Sequence, residues 1–478
     1  MKNFKQYKRR EFLGQISCAG MGYMTLMNSL INLKAINAAS ISNSDTNGYK
    51  AIVCILQAGG NDSFNTLIPI TDHAEYVTTR SNLSIPLVDD PGPPPVQGVL
   101  PLNGSHNGKS YGVHPSMTGV RELYHSGRLS FVSNVGTLMD STSKQDYLSN
   151  AAYVPLGLFS HSDQIQQWQT AIKDQRTAIG WGGKIADMIN DQNQSASGNI
   201  SMNITLSGTN IFQAGNDTVE FAINENGSIG MNQYGNTNNI LQTLRTNAVT
   251  NLMAHNYQDI FKNTFKNTMQ NSHDAHVEFS SALNSFNGFN TVDPFSNSNP
   301  VSQDLKMIAS TIGMQQTLGF NRQIFFLNFG GWDHHDSLVD RHGGMIGMLS
   351  DAMKEFNDGL TLLGLEDCVL TFTTSEFGRT LTSNGDGSDH AWGGNVMVMG
   401  GPSLINGQQI FGTYPSLELD GPNDIGNGVI LPTTPIDSYF AEIAKWFGVG
   451  PTDLSDIFPQ IGNFYNVNSS NYPIGFIK

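Results

Sequence analysis

The sequence predicts an α/β protein whose mostly parallel central sheet carries helices on both faces. Three features lead there: continuous apolar runs of strand length, amphipathic helical stretches alternating with them, and acid-bearing loops where the runs stop. Residues 51–58, Ala-Ile-Val-Cys-Ile-Leu-Gln-Ala, end at Gly59-Gly60, the pattern of a strand buried on both faces. Over 116–126, Met117, Val120, Leu123 and Tyr124 share one helical face, Gly127 stops the helix, and the apolar run Leu129 to Val132 follows. The alternation returns as a strand at 324–329, an amphipathic helix over 345–360 and a strand at 368–373. Thr434-Pro435 should open a last helix, a cap residue followed by proline at the first helical position, with Ile436, Phe440, Ile443 and Phe447 inward. Residues 190–300 turn rich in Asn, Ser and Gly. They read as an inserted cap of short strands and helices within a single domain over 40–478, or as a solvated surface region.

With 478 residues, 38% hydrophobic and 9% aromatic, the chain can bury a large core, which excludes disordered and fibrous classes. Forty acidic against 25 basic residues give a net charge of −15. That balance gives no reason to expect nucleic acid or an anionic membrane surface as the main partner, and divalent cations are more natural company.

The first 39 residues have a different character. Lys8-Arg9-Arg10-Glu11-Phe12-Leu13 precedes a mildly apolar stretch to Leu33, broken by Gly14, Gly20 and Gly22, and small residues follow at Ala35, Ala38 and Ala39. This resembles a twin-arginine signal peptide, removed on export by the twin-arginine translocase, rather than a membrane-spanning helix. The expected location is the periplasm, cell surface or exterior. Losing 1–39 leaves 19 basic against 39 acidic residues, a balance of −20. Of three cysteines, Cys18 lies in the leader; Cys54 and Cys368 lie in apolar runs and read as buried strand residues rather than a disulfide framework.

In open α/β sheets, ligands bind beyond the carboxyl ends of strands. Three strands here end in Gly59-Gly60-Asn61-Asp62, in Gly330-Gly331-Trp332-Asp333-His334-His335-Asp336, and in Ser375-Glu376-Phe377-Gly378-Arg379, the last followed by Asp389-His390. Carboxylates and imidazoles gathered at one edge need a compensating cation. A divalent ion answers, since Asp oxygen and His nitrogen are ordinary ligands.

The motifs Gly-Gly-Asn-Asp-Ser-Phe-Asn-Thr (59–66), His114-Pro115, Ser160-His161, Gly330-Gly331-Trp332-Asp333-x-His335 and Ser-Glu-Phe-Gly-Arg-Thr (375–380) occur in this order. Together they resemble the DUF1501 family of exported bacterial proteins, itself related to the alkaline phosphatase and sulfatase superfamily. The resemblance implies an alkaline-phosphatase-like sheet, with Asp62 as the first metal-binding aspartate, Asp333 and His335 as paired ligands of one metal, and Asp389 with His390 as those of another. The ion is zinc, manganese, magnesium or calcium. It further implies a nucleophile at a helix N-terminus, for which Ser160 is the candidate; the same Ser160 reads as a helix cap completed by Asp163. Arg379 would clamp a phosphate or sulfate, or pair with Glu376, and Glu376 would be a ligand or the partner of a metal-bound His. His334 stands where the family more often has Thr, and no histidine after 390 completes a three-residue metal set. The function implied is metal-dependent hydrolysis of a phosphate or sulfate ester, small or polymeric. The alternative is a non-catalytic periplasmic or cell-surface binding protein on the same fold, with structural metal or none.

Overall fold

The first strand, β1 (Lys50–Leu56), has every residue after Lys50 buried. Successive strand residues point to opposite faces, so both faces of the sheet are covered here. This is a computed structural model; it describes residues 48–92, 95–190, 193, 195 and 197–478, and the leader expected over 1–39 lies outside the described residues. In chain order the further strands are β2 (Leu67–Pro69), β3 (Leu100–Pro101), β4 (Tyr111–Val113), β5 (Leu129–Gly136), β6 (Asn203–Thr205), β7 (Phe221–Asn224) and β8 (Gly227–Ser228). They are followed by β9 (Arg322–Asn328), β10 (Val369–Thr374), β11 (Gly394–Met399), β12 (Ile410–Phe411) and β13 (Thr434–Pro435).

Ten of these form one sheet in the order β12-β5-β11-β10-β1-β9-β6-β7-β8, with β13 also on β5, while β2, β4 and β3 make a small separate sheet. β1 runs parallel to both neighbours, setting Ile52 opposite Leu370 on one side and Ile324 on the other. β11 is antiparallel to β10 and β5. The carboxyl ends of β1, β9 and β10 therefore emerge at one edge, where β11 begins. The expected α/β class with a mostly parallel sheet is what the chain adopts.

The helices fall where the apolar periodicity places them, at Thr118–His125, Leu338–Leu363 and Ile436–Phe447. The last starts one residue later than expected: Thr434 and Pro435 form β13 on β5, and Pro435 becomes the N-cap. Trp181 stacks on Phe440 at 4.9 Å and sits against Phe372 of β10 at 6.0 Å, locking this helix onto the sheet. Cys54 and Cys368 form no disulfide; Cys54 is buried in β1, whereas Cys368 is half-buried in the turn before β10 rather than in the strand. Within 190–300 the strands β6, β7 and β8 extend the central sheet itself, and the helices Ile240–Ala254 and Ile260–Ser285 follow them.

Candidate metal centre

The Gly59-Gly60 pair lets the strand ends come together. A Cβ on Gly59, at φ 124°, would stand 2.4 Å from the Asp333 nitrogen, and one on Gly60 would stand 2.5 Å from the Phe377 ring. Only glycine admits such approach. Through it the loops after β1, β9 and β10 close around Arg379, which is fully buried. Arg379 Nε donates to the Gly60 carbonyl at 2.9 Å and Nη1 to the Ser388 carbonyl at 2.8 Å, while Nη2 bonds the Gly59 carbonyl and Asp333. Four of its five N–H donors are taken and the side chain has no exposure, so Arg379 is not placed to clamp a substrate anion, and it makes no ion pair with Glu376.

Above this hub lie Asp333, His335, His390 and a residue not among the expected ligands, His161. Asp333 Oδ2 is 3.5 Å from His161 Nε2, and its Oδ1 is 3.1 Å from His335 Nε2 and 3.5 Å from His390 Nε2. His335 Nε2 and His390 Nε2 are 3.0 Å apart. The Phe377 ring underlies two of the imidazoles, stacked on His390 at 4.6 Å and tilted to His161 at 4.8 Å.

What backs each imidazole decides its chemistry. His390 Nδ1 meets the Phe159 carbonyl at 2.9 Å, His161 Nδ1 meets Glu376 Oε1 at 2.7 Å, and His335 Nδ1 meets Asp389 Oδ1 at 3.2 Å. Carbonyls and carboxylates only accept, so each Nδ1 carries a proton, and in its neutral form each ring offers an Nε2 lone pair to the centre. Glu376 is fully buried and fixed by the Gly59 N–H at 2.7 Å. Phe159 aims its carbonyl from a left-handed backbone at φ 71°, a costly conformation for a bulky residue.

Lone pairs of imidazole facing a carboxylate repel unless something positive lies between them. His161 Nε2 is buried and has no hydrogen-bond partner. Ligand atoms of His161, Asp333 and His390 lie within 4.8 Å of one another, two imidazoles and a carboxylate, which is a donor set of metal sites that keep an open position. The loops gather three carboxylates, Asp333, Glu376 and Asp389, and one guanidinium, Arg379, so with neutral imidazoles two negative charges are left for a divalent ion to balance. The residues present fit such an ion. Burial tends to raise the Asp333 pKa, but the Arg379 hydrogen bond and charge, with His335 and His161, carry it below the ordinary value. The His161 pKa is raised by its Glu376 hydrogen bond, while His390 is lowered by burial.

Asp333, His335, Asp389 and His390 thus come together, and Asp62 does not join them. Asp62 is fully buried and pairs with equally buried Arg80, and burial still raises its carboxyl pKa despite that charge. It shares no hydrogen bond or ion pair with the four. Arg80 holds it there by also donating to the Thr380 carbonyl at 3.0 Å. Ser160 caps the helix His161–Thr170 by accepting from the Asp163 N–H; Asp163 closes no box and instead pairs with Arg176 at 2.8 Å. The Ser160 hydroxyl hydrogen-bonds Ser162 and the Asp163 N–H and none of the imidazoles of the cluster. His334 points into the core, 6.2 Å from the rings of Trp332 and His342, which settles His335 as the histidine of this loop in the cluster. The third imidazole sought after position 390 comes from upstream. The motif Ser160-His161 carries it.

Comparison with known proteins gives no match among curated ones. Similar solved structures include Ps i-CgsB in complex with k-i-k-neocarrahexaose (9% identity, 87% of this chain and 77% of that one, TM-score 0.33). A mutant of the alkaline phosphatase PafA is also similar (10% identity, 70% and 64%, TM-score 0.25). So is the PsFucS1 sulfatase from Pseudoalteromonas sp. (10% identity, 87% and 71%, TM-score 0.32). The DUF1501 family, described as a protein of unknown function, matches residues 49–424. With its motifs, its sheet and most of its length inside that match, the chain belongs to the DUF1501 family.

Proposed function

We propose that the chain is a metal-dependent hydrolase of phosphate or sulfate esters, with His161, Asp333 and His390 holding one divalent ion. The observation that supports this most is the backing of each imidazole by an obligate acceptor, which turns Nε2 lone pairs toward a carboxylate. A divalent ion bound there supplies Lewis-acid polarisation of an ester oxygen and makes water more acidic. In this reading His335 Nε2 takes the proton from attacking water, because Asp389 holds its Nδ1–H and half the side chain faces solvent. Glu376 and the Phe159 carbonyl keep the two ligand rings in the productive tautomer. Residues 1–39 direct the chain out of the cytoplasm by the twin-arginine route; Arg9→Lys with Arg10→Lys should leave uncleaved precursor inside, as cell fractionation would show.

The test is to strip metal, add zinc, manganese, magnesium or calcium singly, and follow unfolding, bound metal, and hydrolysis of aryl phosphate and aryl sulfate. An ion at a hundredfold excess over Kd should stabilise the fold by about 2.7 kcal/mol. His161→Ala should lose metal and activity together, whereas His335→Ala should keep the metal and lose turnover. Identical melting with and without every ion overturns the site. Among the described residues no hydroxyl hydrogen-bonds an imidazole of the cluster, which favours a second reading, a metal-holding binding protein, which a metal-stabilised but inert chain would select.

A further inference from the structure

The helix Ile260–Ser285 buries Ala275, Phe279 and Ala282 against the domain. At about 100° per residue these three share one stripe of its surface. Toward the N-terminus Phe261 falls on this stripe and Ile260 and Phe265 flank it, about 140° apart; the three are 82%, 73% and 68% exposed. Thr264 and Thr268 occupy the stripe between them and the buried segment, so the exposed apolar side chains form a separate patch at the N-terminal end of the helix. The preceding helix, Ile240–Ala254, repeats the feature: Ile240, Leu241, Leu244 and Leu252 fall in one sector, each more than half exposed. A soluble protein seldom leaves so many large apolar side chains together in water without a partner.

Charge indicates which partner. The chain as a whole is acidic, but from 240 to 270 it carries Arg245, Lys262 and Lys266 against Asp259 alone. The Asp259 carboxylate is engaged as a helix cap, accepting from the Lys262 N–H at 2.9 Å. Between the helices lies an apolar cavity of about 330 Å³, lined by Leu252, Met253, Tyr257, Phe265 and Met269, with Lys262 and Lys266 also on its wall. Apolar volume edged by two ammonium groups suits an amphiphile with an anionic head. A second copy is a poorer occupant, since a twofold contact would set the same cations against each other.

We propose that this hairpin docks on an anionic phospholipid surface. Phe261 and Phe265 enter the headgroup and acyl boundary, an acyl chain fills the cavity, and Lys262 and Lys266 meet lipid phosphate. Among the described residues no helix is long and apolar enough to cross a membrane, so the hairpin lies on the bilayer. This placement is independent of the metal centre, and its local sign reversal escapes a judgement based on total charge.

The five native tryptophans are buried, so a Phe261→Trp variant of the full chain reports on the hairpin. Its emission should shift to the blue with vesicles of three parts phosphatidylcholine to one part phosphatidylglycerol, and far less with phosphatidylcholine alone. Lys262→Gln with Lys266→Gln should weaken anionic-vesicle binding about 30-fold, two charges at about 1 kcal/mol each. Asp333→Asn should bind vesicles like the wild type, which separates this idea from the metal reading. Unchanged emission with anionic vesicles, or equal binding to neutral ones, overturns the proposal. So does self-association that disappears in Phe261→Asp with Phe265→Asp, which would make the face a protein interface.

Discussion

Asp62 and Asp333 end neighbouring strands in the same four-residue pattern, Gly-Gly-x-Asp, and each meets an arginine. Asp62 turns inward onto Arg80 with neither side chain exposed, whereas Asp333 remains 46% exposed among three imidazoles. In the buried pair the charges use up one another. At the surface, Arg379 spends most of its donors on carbonyls and leaves Asp333 oxygens facing histidine nitrogens. One motif thus makes a fold-holding pair at one strand end and a candidate ligand at the next, and the side on which the carboxylate emerges decides which.

The largest expected difference follows from burial. Arg80→Met strands a buried carboxylate and should cost about 3–5 kcal/mol in urea unfolding, while Asp333→Asn, half in solvent, should cost about 1 kcal/mol or less. Equal losses would erase the distinction.

The inward side should also answer to acid. His114 is pushed down to about 4 by burial, and His342, which meets Asn61 Oδ1 at 3.1 Å, well below its ordinary range by burial and then by the His114 charge. The unfolded chain takes up protons below about 6.5 that the folded chain refuses. Stability therefore falls as pH drops from about 6.5 toward 4, by about 3 kcal/mol for His114. Melting curves of His114→Gln should show a shallower acid loss than wild type, and parallel curves would refute it.

Next comes the metal itself. Glu376→Gln should weaken ion binding about 10- to 100-fold by releasing the His161 ring, whereas Asp62→Asn should leave affinity unchanged, both read by calorimetric titration. If Asp62→Asn also weakens binding, the buried aspartate belongs to the centre after all. The smallest effect is expected at Ser160→Ala, about 1 kcal/mol from the lost cap, with metal-induced stabilisation intact.

Much of the fold was legible because β1, β9 and β10 are buried on both faces and so read as unbroken apolar runs. β6 to β8 were harder: short strands at a sheet edge carry little apolar signal, and Asn203–Thr205 looks like loop. Four of five expected ligands met because Asp333 and His335 lie in the loop after β9, and Asp389 and His390 in the segment that leads into β11. Asp62 and Arg80 lie 18 residues apart, and no periodicity announces a pairing made by the small helix and turn between them. His161 could have been weighed beside Ser160, yet its role depends on Glu376, 215 residues away.

The position of β1 constrains how the chain can fold. It is synthesised before its neighbours but is held between β9 and β10, which begin at Arg322 and Val369. Most of the polypeptide must exist before that strand has an edge to join, so contacts of very long sequence separation govern the rate, and folding should be slow. Until then its apolar residues need shielding from other chains. A product truncated before residue 369 would lack one side of β1 and all of Glu376, Arg379 and His390, so nascent fragments should be neither compact nor metal-competent.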